Sequence, residues 1–311
     1  MTIDSVLMIG FGGPTAASEI RPFLENVVRG RNVPPARLEE VAHHYEAIGG
    51  RSPYNELTFR QAQALEARLK ANGQPLPVYV GMRNWGPYLK DTIGEMNEEG
   101  ARRAIGVIMA PHRSPTSWER YQLDVQRARE ENGGGPEVAY LEPWHRHPLF
   151  LEAAAQRVEE ASGYRRGAWP AGVSALFTAH SIPVSMAQTS RYVEEITESS
   201  AAIAALLGVG GWSVAYQSRS GDGRTPWLEP DVNEVIREQA AWGVRGMVLA
   251  PVGFLCDHVE VLFDLDVEAR QTAADAGLTL HRAGTVGDHP CFIEMLAELV
   301  QRRCAEVDGL R

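Results

Sequence analysis

The chain has 311 residues, 44% of them hydrophobic, and a formal net charge of −10, enough for one large or two ordinary domains with ample core. The acidic balance argues against a nucleic-acid partner, and no run approaches the roughly 18–20 apolar residues of a membrane span. Cys256, Cys291 and Cys304 show no CxxC spacing, and the start runs directly into "SVLMIGFGG", so no signal peptide, a reducing cytoplasmic setting and no cysteine-based metal site are expected.

Eight strand segments follow in chain order. The first four are 5–11, 77–83, 103–111 and 136–143, and the second four are 172–180, 212–219, 245–253 and 278–284. Most are short, rich in Val, Ile, Leu or Ala, and bounded by Gly or Pro, the pattern of parallel strands buried on both faces. Segments with helical periodicity separate them, so an open, doubly wound α/β architecture is expected. Four units before residue 144 and four after 171 imply two similar halves, with domains at 1–146 and 147–311. The stretch 15–72 is too long for a simple crossover and is expected to cover the cleft. The last helix is expected to pack back on the first domain.

Ligands of such sheets bind beyond the carboxyl ends of the strands. Those ends carry "GFGGP" (10–14), "APHRSPTS" (110–117), "AHSIP" (179–183), "QSRSGDGRTPWLEPD" (217–231) and "PVGFLCDHVE" (251–260). GFGGP is neither GxGxxG nor a P-loop. It reads either as a tight strand-to-helix turn or as backbone packed closely on a flat ligand, with Phe11 as a wall. Arg29 and Arg31 could pair with ligand carboxylates or sit as solvated charge. Tyr45, Arg51 and Ser52 flank a Gly-Gly turn and offer a second anion contact. Trp227, in a Pro-bounded loop, packs locally or walls an aromatic ligand.

His180 closes its strand. Alone it reads more readily as a structural hydrogen-bonder than as a proton acceptor near neutral pH. Beyond the seventh strand, acids recur on an apolar helical segment. At 100° per residue, Glu260, Asp264 and Glu268 fall at about 300°, 340° and 20° from Asp257, with Asp266 opposite at about 180°. Such a stripe is either a solvated face or, on a helix apolar over most of its circumference, a row needing a cavity, partner or metal. The set lacks zinc spacing, so a permanently bound zinc is not indicated.

The ordered motifs "GFGGP", "FLENVVRGRNVP", "YEAIGGRSP", "FTAHSIP", "YQSRSG", "PWLEPDV" and "PVGFLCDHVEVLFDLD" resemble the ferrochelatase family over nearly the whole chain, FTAHSIP and the last motif most specifically. The resemblance implies two Rossmann-like domains, each with a four-stranded parallel sheet, and insertion of Fe²⁺ into a porphyrin held in the cleft between them. It matches His180 to the family's active-site histidine, Glu260 to its partner carboxylate, and Asp264 and Glu268 to an acidic ladder carrying protons or transient Fe²⁺, with a π-helical turn there. Porphyrin contacts are expected from Phe11, Arg29, Arg31, Tyr45, Ser52, Arg113, Tyr121 and Trp227. Some bacterial members carry, in place of Phe11, a Tyr that ligates product iron. The C-terminal cysteines lack the spacing of the family's [2Fe–2S] members, so no cluster and no resident cofactor are expected, Fe²⁺ being a substrate. A polar "APHRSPTSWERYQ" in place of a hydrophobic lip implies a soluble enzyme, expected as a monomer. The anion contacts favour coproporphyrin III, with four propionates, over protoporphyrin IX, with two. Rivals are a cobalt or nickel chelatase of related fold, a non-catalytic porphyrin- or heme-binding protein, and a two-domain binding protein.

Overall fold

Runs such as "VLMIG" and "MVLA" bury both faces, which requires helices above and below. The computed structural model describes residues 2–30, 33–220 and 225–309 and meets that requirement twice. The first sheet holds β1 (Ser5–Gly10), β2 (Val78–Met82), β3 (Arg103–Ile108) and β4 (Glu137–Tyr140); the second holds β5 (Val173–His180), β6 (Trp212–Gln217), β7 (Gly246–Ala250) and β8 (Thr279–Arg282). The orders are β2-β1-β3-β4 and β6-β5-β7-β8, and every pairing is parallel. All eight expected strands form inside their expected ranges, and all but β5 stop short of the expected carboxyl end. The trimmed residues include Pro111 and Pro251, which cannot donate to a ladder. In each sheet the chain reverses its winding beside the first strand, so the carboxyl ends of β1 and β3, and of β5 and β7, flank the switch points where such folds bind ligands.

The extra helices of the first half are α1 (Ile20–Val27) and α2 (Pro35–Ala47), followed by the crossover helix α3 (Tyr54–Ala71); α4 (Leu89–Glu98) and α5 (Glu119–Glu131) cover the other face. The second half has α6 (Pro148–Ser162), α7 (Val184–Ala187), α8 (Tyr192–Leu207) and α9 (Val232–Ala241). It continues through α10 (Val259–Leu262), a π-helical turn Asp264–Ala269 and α11 (Arg270–Asp275), and ends in α12 (Pro290–Val307). Phe23, Tyr45 and Ala42 of the extra helices form one apolar cluster with Val259 of α10, joined by Trp85 and Phe263. The 15–72 stretch therefore lies against the acid-bearing segment.

Two further features join the halves. The largest apolar cluster runs through Val6 and Met8 of β1, Leu65 of α3, Phe150 of α6 and Phe292 of α12. Around it α12 returns to the first half through Asn72 Nδ2 to Gln301 Oε1 at 3.2 Å and the Arg68–Glu294 ion pair. On the other side, Glu195 of α8 is fully buried. It accepts from the Arg113 backbone N–H and from Nε, both at 2.8 Å. No described helix is long and apolar enough to cross a membrane.

Removing Glu195 leaves the Arg113 donors facing a cavity, and breaking such a pair is costly because one charge stays uncompensated. Glu195→Ala is expected to lower unfolding free energy by about 3 kcal/mol in urea titration. A loss below about 1 kcal/mol would mean that solvent at Arg113 already screens the pair.

Candidate active site

At the end of β5 the chain beyond His180 is anchored by Ser181, its N–H bonded to Gln217 O of β6 at 2.8 Å and its hydroxyl to Leu228 O at 2.9 Å. The Tyr192 hydroxyl on α8 donates to the His180 carbonyl at 2.9 Å. With its backbone held, the half-buried imidazole engages the Ser181 carbonyl through Nδ1 and Glu260 Oε1 through Nε2 at 3.2 Å. Burial opposes a charge on the ring, but Glu260, the Ser181 carbonyl and Asp264 outweigh it and raise the His180 pKa to about 9. Burial likewise opposes charge on Glu260, and His180 with His258 overcomes it, holding that carboxyl at about 2. The resting pair is an imidazolium beside a carboxylate.

Glu260 is placed by the start of α10. His258 caps that helix, its Nδ1 accepting from Glu260 N–H at 3.2 Å. Gln217 Nε2 donates to the Glu260 carbonyl at 2.6 Å, while Gln217 Oε1 is buried with no partner. The helix then widens: Glu268 N–H reaches back five residues to Phe263 O at 3.0 Å, the π-helical bond. In that turn Asp264 accepts from the Ser218 hydroxyl. Burial, reinforced by Glu260 and Glu268, raises the Asp264 pKa to about 7. Burial first, then Asp231 and Glu40, raises Glu268 as well. Glu260, Asp264 and Glu268 are thus three carboxyls in graded environments. Among the described residues no group of three or more His, Cys, Asp or Glu is placed to hold a metal ion, so these acids form a row rather than a closed cage.

Asp257 is corrected. It precedes the His258 cap, so the helical angle does not apply to it, and its carboxylate pairs with Arg282 Nη2 at 3.2 Å. Asp266, expected opposite the row, meets the same guanidinium at 2.6 Å. Arg282 thereby binds the reverse face of the segment to β8.

The expected porphyrin contacts divide. Phe11 is 39% exposed, its N–H bonded to the Tyr54 hydroxyl at 3.0 Å, and the Tyr54 ring lies edge-on 6.0 Å from His258. Tyr45 is buried, close enough to Glu260 that burial and that carboxylate together push its pKa up. Trp227 is half-buried and bridges Pro183, three residues past His180. Arg29 is exposed at the rim of a 580 Å³ cavity shared with Arg83 and Asn84. Arg31 lies outside the described residues.

Three expectations need correction. Ser52 is buried behind the glycine loop, and a Cβ on Gly13 would come within 2.9 Å of its own Cβ. Gly12, at φ +86°, is equally close to Trp85, so GFGGP packs on protein at both glycines. Arg113 is committed to Glu195. Tyr121 belongs to the core between β1, β3, α4 and α5, with Arg83 over its ring at 5.9 Å.

Ser218, Gln217, His258 and Tyr192 were not singled out from the sequence. Ser218 has φ 61°, the one positive value outside glycine among the described residues, and such strain collects at functional sites. Nothing in "YQSRSG" announces it. His258 caps the helix in place of the Ser, Thr, Asp or Asn usual there, so cap preference points to Asp257 instead.

In an NMR titration the His180 imidazole is expected to lose its proton near pH 9. In Glu260→Gln the anion is gone and burial remains, so that pKa is expected to fall by more than one unit, toward the ordinary value of about 6.5. An unchanged titration would dissolve the pair.

A family model described as Ferrochelatase matches residues 4–304. A protein of Rhodopirellula baltica named ferrochelatase is 43% identical over 307 residues, covering 98% of this chain and 87% of that protein. A coproporphyrin III ferrochelatase of Mycolicibacterium paratuberculosis is 41% identical over 309 residues, covering 98% and 89%. Among solved structures, the sirohydrochlorin chelatase SirB of Bacillus subtilis subspecies spizizenii, in complex with cobalt, superposes with a TM-score of 0.58 at 12% identity, covering 99% of this chain and 97% of that one. CbiX, from siroheme biosynthesis in denitrifying bacteria, gives 0.54 at 14% identity, with 96% and 98% covered. Both show the same fold.

Proposed function

Since the chain belongs to the ferrochelatase family and is therefore a metal chelatase, a lyase, we propose that it inserts Fe²⁺ into coproporphyrin III in heme biosynthesis, in the cytoplasm, with release of two pyrrole protons. The observation that carries this reading is the His180–Glu260 pair, set at the switch point of the second sheet and continued by Asp264 and Glu268. Relatives 38–41% identical to this chain and named coproporphyrin III ferrochelatase support the choice of porphyrin. Arg29 and Arg51, both exposed, remain as carboxylate partners after Arg113 and Tyr121 drop out.

Charge balance sets the steps. A free-base porphyrin gives up two protons as it takes one dication, so the site must accept protons while admitting positive charge. His180 at rest already holds a proton and cannot act as base in that state. It gives that proton up to the row at Asp264, whose pKa near 7 lets it gain and lose protons at neutral pH, and Glu268 hands protons outward, while Glu260 stays ionised. The neutral imidazole then takes one pyrrole proton, passes it to the row, and takes the second, so both protons leave as the dication enters. Fe²⁺ approaching the row favours the same transfer, because its charge repels the imidazolium. Oxygen and nitrogen ligands suit an ion that must be released to the macrocycle, where thiolates would retain it. No resident cofactor takes part.

Three outcomes are expected in anaerobic metal-insertion assays. Turnover on coproporphyrin III should exceed that on protoporphyrin IX, and the reverse order would shift the assignment to the two-propionate porphyrin. His180→Ala should cost at least about 100-fold in kcat, the usual scale of a lost proton acceptor, in a chain that still unfolds cooperatively. For the intact enzyme, kcat/KM should rise with pH toward about 9 as the neutral imidazole becomes populated; a flat profile across that range would remove His180 as the base.

A further inference from the structure

Arg37 stands outside every role assigned above. It lies on α2, the extra helix laid over the acid-bearing segment, and shares a helix face with Val41 and His44. His44 stacks flat on Phe263, centroids 3.8 Å apart at 9°, which fixes that face against the start of the π-helical turn. About two helical turns earlier on α2, Arg37 Nη2 donates to the Arg219 carbonyl at 3.3 Å, and Nη1 pairs with Glu40 at 2.8 Å. Arg219 follows Ser218, which holds Asp264. The guanidinium therefore reaches from the first half to the loop that supports the acidic row. Its charge is felt at both Glu260 and Glu268, lowering each. Near the row, the buried Gln217 Oε1 is an acceptor with no donor, which suits a site that takes up a cation or proton. The Arg37 side chain is 30% exposed.

We propose that Arg37 is the counter-ion of the empty acidic row and sets the affinity of that row for the incoming divalent cation. With no metal present, a positive charge beside Glu260 and Glu268 offsets the repulsion between carboxylates. When a dication arrives, the same charge opposes it, so the row binds loosely enough to pass the ion on. Arg37 is a positioning residue: it acts through the row's electrostatics, and its bond to the Arg219 carbonyl holds it in range. The inference rests on the proposed passage of Fe²⁺ along these acids.

The test uses the full chain with Arg37→Lys, Arg37→Gln and Arg37→Glu. The KM for Fe²⁺ at saturating porphyrin should fall in order of charge: Lys near wild type, Gln lower, Glu lowest. The effect is electrostatic, so it should be largest at low salt and shrink toward about 0.5 M salt. The KM for porphyrin should stay unchanged across the series. Calorimetric binding of Co²⁺ to the protein without porphyrin should tighten in the same order, a readout independent of turnover. An Fe²⁺ KM indifferent to charge at position 37, or a porphyrin KM that moves with it, would overturn the inference and leave Arg37 as a tether of α2. Absence of iron insertion by the wild type, with Co²⁺ binding still graded by charge, would instead overturn the proposed function.

Discussion

Burial of the His180 imidazole against the Glu260 carboxylate is the constraint around which the second half is arranged. Neither group would stay charged alone in this environment: burial pulls the imidazole toward neutrality and the carboxyl toward protonation, and each prevents the other. The pair persists only if geometry keeps the two groups together. The backbone of His180 is held by Tyr192 and by the turn at Ser181, and Glu260 is held by the His258 cap and the Gln217 amide. Those four supports come from α8, from the end of β5, from the β7–α10 loop and from the end of β6. The parallel sheet order β6-β5-β7 brings these elements to one end of the sheet.

The same pair determines what the neighbouring carboxyls can be. Asp264 lies near an existing anion and is itself buried, so its pKa rises to about 7 while that of Glu260 falls to about 2. Two chemically similar groups one turn apart thus take opposite tasks, one a permanent anion and the other a proton exchanger. Asp264 meets Ser218 while Asp266, on the opposite face of the same turn, meets Arg282. The π-helical bond from Glu268 to Phe263 and the left-handed Ser218 are both locally unfavourable. Both persist because packing of Val259 and Phe263 under α1 and α2 holds the segment in place.

Much of this was legible beforehand, and the rest failed for identifiable reasons. The eight strands were readable because a strand buried on both faces must be continuously apolar, and the helices between them carry a different period. His180 and Glu260 were readable as polar groups at carboxyl ends of strands, where such sheets place ligands. Asp264 and Glu268 followed from helical angle, which tolerated one wide turn. Asp257 did not, because a periodicity argument cannot see where a helix begins. Ser52, Arg113 and Tyr121 were misplaced for a different reason. Ser52 and Arg113 lie in loops and Tyr121 on the first turn of α5, and sequence alone does not distinguish a side chain facing a ligand from one consumed by an intramolecular partner or the core. For Arg113 that partner, Glu195, lies 82 residues away on another domain, at a separation no local rule covers.

A row is a better device than a cage for an ion that has to leave. Binding strength at a metal site grows with the number of anionic ligands that converge on one point, and release slows in proportion. Here the acids are spaced along a turn, one neutralised by an imidazolium, one half-protonated near neutrality, and one raised by burial, Asp231 and Glu40 against the opposing charge of Arg37. Each position offers a cation one or two oxygens and some competing positive charge or proton. In the proposed reaction, affinity at any step would therefore stay low. Proton movement would use the same row in reverse: a carboxyl that is half-protonated at the working pH can both accept from the imidazolium and release outward. Inward transfer of the dication and outward transfer of two protons would then be coupled by charge, since every proton that leaves the row makes it more attractive to the metal.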